Sequence, residues 1–283
     1  MLMMNKEFSR KLHVAVAQIH SGGTLKENYK RAEIQIRSAA LVSAEVILFS
    51  ECALQGYGYF GDCTREQIKK VAIEINHPIC NAVVKLAEKS KITVLIGFFE
   101  KCENKLFNSV LIAYPDGHRD CQRKHQLTAG EIKSGLTPGQ ITRTPVIIND
   151  IKSAIIICAD SGIDGIDDML HNEGFDYRFC PTGGGGHIKE TLRLADMKDQ
   201  SQRKLYCRKR QQVFKPDAIL DLKENHHLGF ASANALGPVG KETCHQGHCM
   251  IVDNHGVLMA QIPGTIIREN MQDQMVHARL FFK

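Results

Sequence analysis

The sequence predicts a mixed α/β sheet protein. Strands and amphipathic helices alternate along the chain, hairpins interrupt that alternation, and no internal repeat or low-complexity linker divides it. A purely doubly wound sheet would lack the hairpins. The expectation is therefore one domain over residues 1–283, with 1–10 as an N-terminal extension.

Each element follows from spacing. Leu12, Val14 and Val16 alternate with His13, Ala15 and Ala17, which predicts an opening strand with one apolar face. Tyr29, Ala32, Ile36 and Ala39 recur at helical spacing among Lys, Arg and Glu, and Val46 to Phe49 comes next as a short buried strand. Thr64 to Ile75 and Pro78 to Ser90 read as helices, the second with proline at its first position. Ile92 to Phe98 reads as a strand. Val110 to Tyr114, the turn Pro115-Asp116-Gly117 and the segment to Arg123 form a hairpin.

Val146 to Ile148 and Ala154 to Ile157 make a second strand pair around Asn149-Asp150, and Phe175 to Cys180 is a further strand. Gly183 to Gly186 reads as a flexible stretch. Glu190 to Val213 is expected to be helical with one solvated face. Leu228 to Ala233, Met250 to Val252 and Val257 to Ile262 read as strands, the last two joined by Asn254-His255-Gly256.

With 283 residues, 43% hydrophobic and 24% charged, the chain has material for a sizeable core. Its net charge of +5 is small, and basic residues are interspersed with acidic ones except around Arg203 to Arg210, which reads as a solvated helix face. A nucleic-acid partner is not expected, because phosphate tracking needs a dense basic stripe. Ten cysteines lie scattered in apolar runs with no secretory signal before them, and no apolar run approaches the roughly 18 residues of a membrane span. These features predict a reduced, cytoplasmic protein without a membrane partner.

Three residues stand out chemically. Cys158 closes the most apolar strand, Ala154-Ile155-Ile156-Ile157, where an abrupt turn presents a thiol beside free backbone N–H groups. Glu51 ends Val46-Ile47-Leu48-Phe49, a place that strips water from a carboxylate and makes it a stronger base. Lys124 follows a strand in Gln122-Arg123-Lys124-His125. Cys244-His245-Gln246-Gly247-His248-Cys249 has ligand types suited to zinc, but adjacent ligands rarely converge on one tetrahedral ion, so no metal is expected.

Read together, these segments resemble the nitrilase superfamily of amide and nitrile hydrolases over about residues 11 to 280. The resemblance rests on Ala17-Gln18, Ser50-Glu51 where the family usually has Pro-Glu, and Tyr114-Pro115-Asp116-Gly117. It continues through Arg123-Lys124-His125, Gly130-Glu131, Pro138-Gly139, Ile156-Ile157-Cys158-Ala159-Asp160 and Cys180-Pro181-Thr182-Gly183. Ala233 to Gly237 and Gly247 to Gly256 resemble the C-terminal blocks.

The resemblance implies a four-layer αββα sandwich, a homodimer or higher homo-oligomer, and cofactor-free catalysis on a small-molecule amide. It implies Glu51 as base, Lys124 with the Ala159 N–H as oxyanion donors, and Cys158 as nucleophile. Glu131 would orient the lysine and substrate, and Asp160 and Thr182 would border the substrate. The chain departs from the family after Asp160, where Gly162-Ile163-Asp164-Gly165 replaces the usual ending and Ala159 a bulkier neighbour. A nitrilase or acyltransferase of the same fold, and a non-catalytic scaffold keeping the sandwich, stand as alternatives; no fused synthetase domain or membrane span is expected.

Overall fold

The computed structural model describes residues 10–60, 64–213 and 228–283. The expected N-terminal extension thus lies almost wholly outside the described residues, as do the side chains of 209 and 210 in the basic run.

Two six-stranded sheets face each other. The first contains β1 (Arg10–Gln18), β2 (Val46–Leu48), β3 (Thr93–Cys102), β4 (Lys105–Ala113), β5 (Arg119–Arg123) and β15 (Gln274–Phe282), ordered β15-β1-β2-β3-β4-β5. The second contains β6 (Val146–Ile148), β7 (Ile151–Ile155), β8 (Tyr177–Thr182), β10 (Gly229–Asn234), β13 (Cys249–Val252) and β14 (Leu258–Ile262), ordered β14-β13-β10-β8-β7-β6. Parallel neighbours (β1–β2, β2–β3, β7–β8, β8–β10) and antiparallel ones coexist in both sheets. The sheets are mixed, as the hairpins predict.

Between the sheets lies one apolar layer: Leu12, Val14, Val16, Leu48, Leu95, Val110 and Ile112 from the first meet Ile155, Ile157, Tyr177, Phe179, Ala231 and Ile251 from the second. Each of the Val, Leu, Ile and Phe side chains among them contributes about 1.5–3 kcal/mol by leaving water. Tyr177 is wholly buried, and its hydroxyl donates to the Val252 carbonyl at 3.2 Å, so the ring enters the core without an orphaned polar atom.

The outer face of β1 differs from the one-faced strand its alternation predicts. Ala15 and Ala17 are also fully buried, beneath Ala32, Ile36 and Ala39 of α1 (Leu25–Leu41) and Val83, Val84 and Ala87 of α3 (Pro78–Ser90). Small side chains on that face let the helices come close, so both faces of the strand are core. On the second sheet, Ile166 and Leu170 of α5 (Ile166–Asn172) cover Ala154 and Ile156. Helices outside two facing sheets complete the αββα sandwich.

Pro78 opens α3 as expected, while α2 (Arg65–Val71) is shorter than Thr64 to Ile75, with Thr64 as its N-cap. Asn149 and Asp150 both take left-handed φ (51° and 61°), the twist that a two-residue hairpin requires. Glu190 to Val213 is not one helix: two 3-10 turns precede α6 (Gln200–Val213), because Leu192 is tied as a bridge to Ile267 and Asp199 starts the helix by accepting the Ser201 and Gln202 N–H groups. Gly185–His187 is not loose chain either. It forms β9, paired with β12 (Thr243–Gln246), which pairs with β11 (Leu236–Val239). No helix of the described residues is long and apolar enough to cross a membrane.

Candidate active site

Glu51, Lys124 and Cys158 each lie just beyond the C-terminal end of a strand, and the facing sheets bring those ends together. After β2 the chain turns sharply at Cys52, whose φ is 48°. Gly97 of β3 makes the turn possible: a Cβ there would lie 2.3 Å from Cys52 N and 2.5 Å from Ser50 O. The Glu51 N–H donates to the Thr182 carbonyl at 3.2 Å, tying the first sheet to the end of β8.

Lys124 is held along its backbone. Its N–H donates to the Asn108 carbonyl at 2.8 Å, and its carbonyl accepts from Gly139 at 2.7 Å. A Cβ on Gly139 would come within 2.6 Å of Arg123 Cβ, so only glycine passes this close.

Cys158 takes a left-handed φ of 47° and opens a 3-10 turn, Cys158–Gly162. A non-glycine residue in that region is strained, a condition that clusters at functional positions. Asp160 secures the turn. It is fully buried; Oδ1 accepts the N–H groups of His125 (3.0 Å) and Gln126 (2.7 Å), and Oδ2 accepts that of Ile157 (3.3 Å). One carboxylate thus fastens the chain after the lysine to the chain around the cysteine.

The buried polar cluster is compact. Lys124 Nζ donates to Glu51 Oε1 at 2.7 Å and to Glu131 at 2.9 Å and 3.1 Å, and all three side chains are inaccessible to solvent. Glu131 also accepts the Thr128 N–H at 2.7 Å, closing the capping box of α4 (Ala129–Lys133), which fixes its distance from the lysine. Asn108 of β4 donates to Glu51 Oε1 (2.6 Å) and Glu131 Oε1 (2.7 Å). Tyr57 lies over this group, with Lys124 Nζ 5.6 Å from its ring centroid.

Cys158 joins through Gly183. The Gly183 N–H lowers the thiol's pKa, and a Cβ on that glycine would lie 2.8 Å from Glu51 Oε2 and 2.6 Å from Tyr57 Cγ. Glu51 Oε2 is buried and takes no hydrogen bond of its own among the described residues.

Two carboxylates against one ammonium leave the cluster with an excess negative charge, and the groups respond in predictable directions. Burial raises the Glu51 carboxyl, Lys124 opposes that rise, and Glu131 adds to it. Burial works against the Lys124 charge, but Glu51 and Glu131 outweigh it and its pKa is raised, so it stays an ammonium ion. Burial, then the Glu51 charge, push the Cys158 thiol up to about 12, while Lys124 and the Gly183 N–H pull it down. Burial and the Glu51 charge both favour the thiol form of Cys158 over the thiolate.

Of the seven residues expected from sequence, Glu51, Lys124, Glu131 and Cys158 share this cluster, and Asp160 braces it. Thr182 meets it through its carbonyl; its hydroxyl turns away to the Ala233 carbonyl at 3.3 Å. Ala159, half-buried beside Cys158, offers its backbone. The reading of single motifs misses Asn108, Tyr57 and Gly183. The sequence holds one sign of Asn108: an amide within the apolar run Leu106 to Ala113 has to find partners.

The family model described as carbon-nitrogen hydrolase matches residues 13–177. N-carbamoylputrescine amidase from Arabidopsis thaliana is 27% identical over 186 residues, which are 64% of this chain and 62% of that protein. The fold is similar to a carbon-nitrogen hydrolase from Helicobacter pylori G27 (TM-score 0.72, 16% identity, 95% of this chain and 89% of that one). It is also similar to an amidase from Nesterenkonia sp. AN1 seen with acrylamide added to its active-site cysteine (TM-score 0.70, 15% identity, 94% and 92%). Against the glutamine-dependent NAD+ synthetase from Acinetobacter baumannii the TM-score is 0.69 at 16% identity, with 95% of this chain matched to 45% of that one. The chain belongs to the carbon-nitrogen hydrolase family, within the nitrilase superfamily.

Proposed function

We propose that the protein is a cysteine-dependent hydrolase of a small linear amide, of the ω-amide, aliphatic amide or N-carbamoyl type. The observation that carries this reading is the wholly buried Lys124 clamped between Glu51 and Glu131, with Cys158 on a strained turn where its thiol feels the charges of both Glu51 and Lys124. The family match and the N-carbamoylputrescine amidase relative support carbon–nitrogen bond cleavage and bring N-carbamoyl amines into the candidate set.

In this mechanism Glu51 Oε2 takes the S–H proton as the sulfur attacks the amide carbon. The oxyanion of the tetrahedral intermediate is held by the Lys124 ammonium and the Ala159 N–H. Collapse expels ammonia or an amine, which takes the proton from Glu51 and leaves a thioester. Glu51, again a carboxylate, draws a proton from water, and the hydroxide so formed releases the acid and the thiol. Lys124 remains charged throughout and serves as a fixed donor, not as the base.

Incubation with a panel of linear amides and N-carbamoyl amines, with ammonia release monitored, tests the reading. Turnover of at least one member that vanishes in Cys158→Ala is expected; turnover that persists in that variant overturns the assignment.

A further inference from the structure

The surroundings of Glu51 do not treat its two oxygens alike. Oε1 takes hydrogen bonds from Lys124 Nζ at 2.7 Å and from Asn108 Nδ2 at 2.6 Å. Oε2 takes none among the described residues and lies where a Cβ on Gly183 would come within 2.8 Å of it.

Asn108 is itself fully committed. Its second Nδ2 proton goes to Glu131 Oε1 at 2.7 Å, and its Oδ1 accepts the Cys52 thiol at 3.3 Å. Only one orientation of the amide satisfies these partners: reversing it would set Oδ1 against two carboxylates and the NH2 group against a thiol donor. Cys52 is fully buried, and the left-handed turn that Gly97 permits is what presents it to Asn108.

We propose that Asn108, held in place by the Cys52 thiol, is a positioning residue that locks Glu51 Oε1 and leaves Oε2 as the one oxygen that accepts the Cys158 proton. Resting on the reading of Glu51 as base, this adds a device that selects which oxygen acts. In the step concerned, the Cys158 S–H bond breaks, an O–H bond forms on Oε2, and the electron pair stays on sulfur. A neutral amide suits the place. A second cation would neutralise Glu51 and weaken it as a base, and a carboxylate would add a third negative charge to a cluster already in excess. Two donors on Oε1 also stop the carboxylate from rotating its oxygens into one another's places.

Hydrogen bonds to the ionised carboxylate favour it, so losing Asn108 makes Glu51 hold its proton to higher pH. Alkylation of Cys158 by iodoacetamide, then peptide mass spectrometry across pH, reads this without any amide substrate. Asn108→Leu is expected to move the acid limb of the alkylation profile upward by about half a pH unit or more. Cys52→Ala should move it in the same direction by less, and Cys52→Ser, which keeps a donor, should move it less than Cys52→Ala. An unmoved limb in folded Asn108→Leu overturns the proposal. If Asn108→Leu does not fold, identical profiles for wild type, Cys52→Ala and Cys52→Ser overturn it. Glu51→Gln separates the two ideas: an unchanged profile in that variant removes Glu51 as base, whereas a changed one beside an unmoved Asn108→Leu removes only the role of Asn108.

Discussion

Lys124 Nζ sits 2.7 Å from Glu51 Oε1 with both side chains closed to solvent, while Glu131 holds the same ammonium from its other side. In such surroundings the pair is not a stability device in the usual sense, since desolvation offsets much of its attraction. In the proposed mechanism its use is to keep a positive charge fixed where an oxyanion forms. Lys124→Met is accordingly expected to lower kcat/KM by about 10²-fold or more. Lys124→Arg should recover little of it, because a planar fork does not fit a point between two carboxylates. Single-turnover acylation rates check both.

In the proposed mechanism the pH dependence of activity is set by Glu51. Burial raises its carboxyl above the ordinary glutamate value of about 4.3, with Lys124 opposing. A base raised in this way is protonated and idle over a wider acid range, so kcat/KM should fall with pH along a limb lying above that value. For stability the sign is the reverse. A carboxyl whose pKa is higher folded than unfolded stabilises the fold below its unfolded value and loses that contribution as pH rises through the folded one. Glu51→Gln should therefore raise the melting temperature at pH 8, and raise it less at pH 5, while abolishing turnover. Calorimetry at the two pH values checks this.

Gly183 tests how tightly the site is built. A Cβ there meets Tyr57 Cγ at 2.6 Å and Glu51 Oε2 at 2.8 Å, distances that force something to shift. Gly183→Ala should cost about 1–3 kcal/mol of stability and reduce kcat about tenfold or more by displacing the base. Gly184, where a Cβ meets only Asn234 at 3.9 Å, is the control: urea titration of both variants should show Gly184→Ala nearly as stable as the parent chain.

Asp160 links two parts of the site through three backbone N–H groups. Asp160→Ala strands buried donors and should cost about 2–4 kcal/mol, with a loss of kcat because the turn after Lys124 and the turn at Cys158 lose their common anchor. Asp160→Asn retains one acceptor and should fall between. Urea melts and kcat on the same preparations separate the two effects.

Much of this arrangement is legible in the chain. The expected strand ends at Phe49, Arg123 and Ile157 fall within two residues of the observed ones at Leu48, Arg123 and Ile155, close enough to pick out Glu51, Lys124 and Cys158 just beyond them. Glu131 and Asp160 come from neighbouring motifs. Periodicity does not carry contact between distant segments. Asn108 falls before the expected strand Val110 to Tyr114 and carries no signal of its partners until β4 is set beside the turn at Cys52, and Gly183 reads as flexibility until Tyr57 and Glu51 close on it. β15 escapes detection although Val276, Ala278, Leu280 and Phe282 alternate, since Gln274 breaks the apolar face at its start and Met275 and Phe281 put apolar residues on the other face beside His277 and Arg279. The small sheet β9-β12-β11 escapes because its strands are three or four residues long, with glycine in β9 and β11 and no apolar alternation in β12.

The account stands on a covalent step at Cys158. Rapid acid quenching during turnover of an amide substrate, with peptide mass spectrometry of the quenched enzyme, measures it directly. The account predicts a thioester on the Cys158 peptide whose mass equals the acyl part of the substrate, present in wild type, absent in Cys158→Ala, and reduced about 10²-fold or more in its rate of appearance in Lys124→Met. An active enzyme with no acyl adduct at Cys158 at any quench time, or with the adduct on another cysteine, would contradict it.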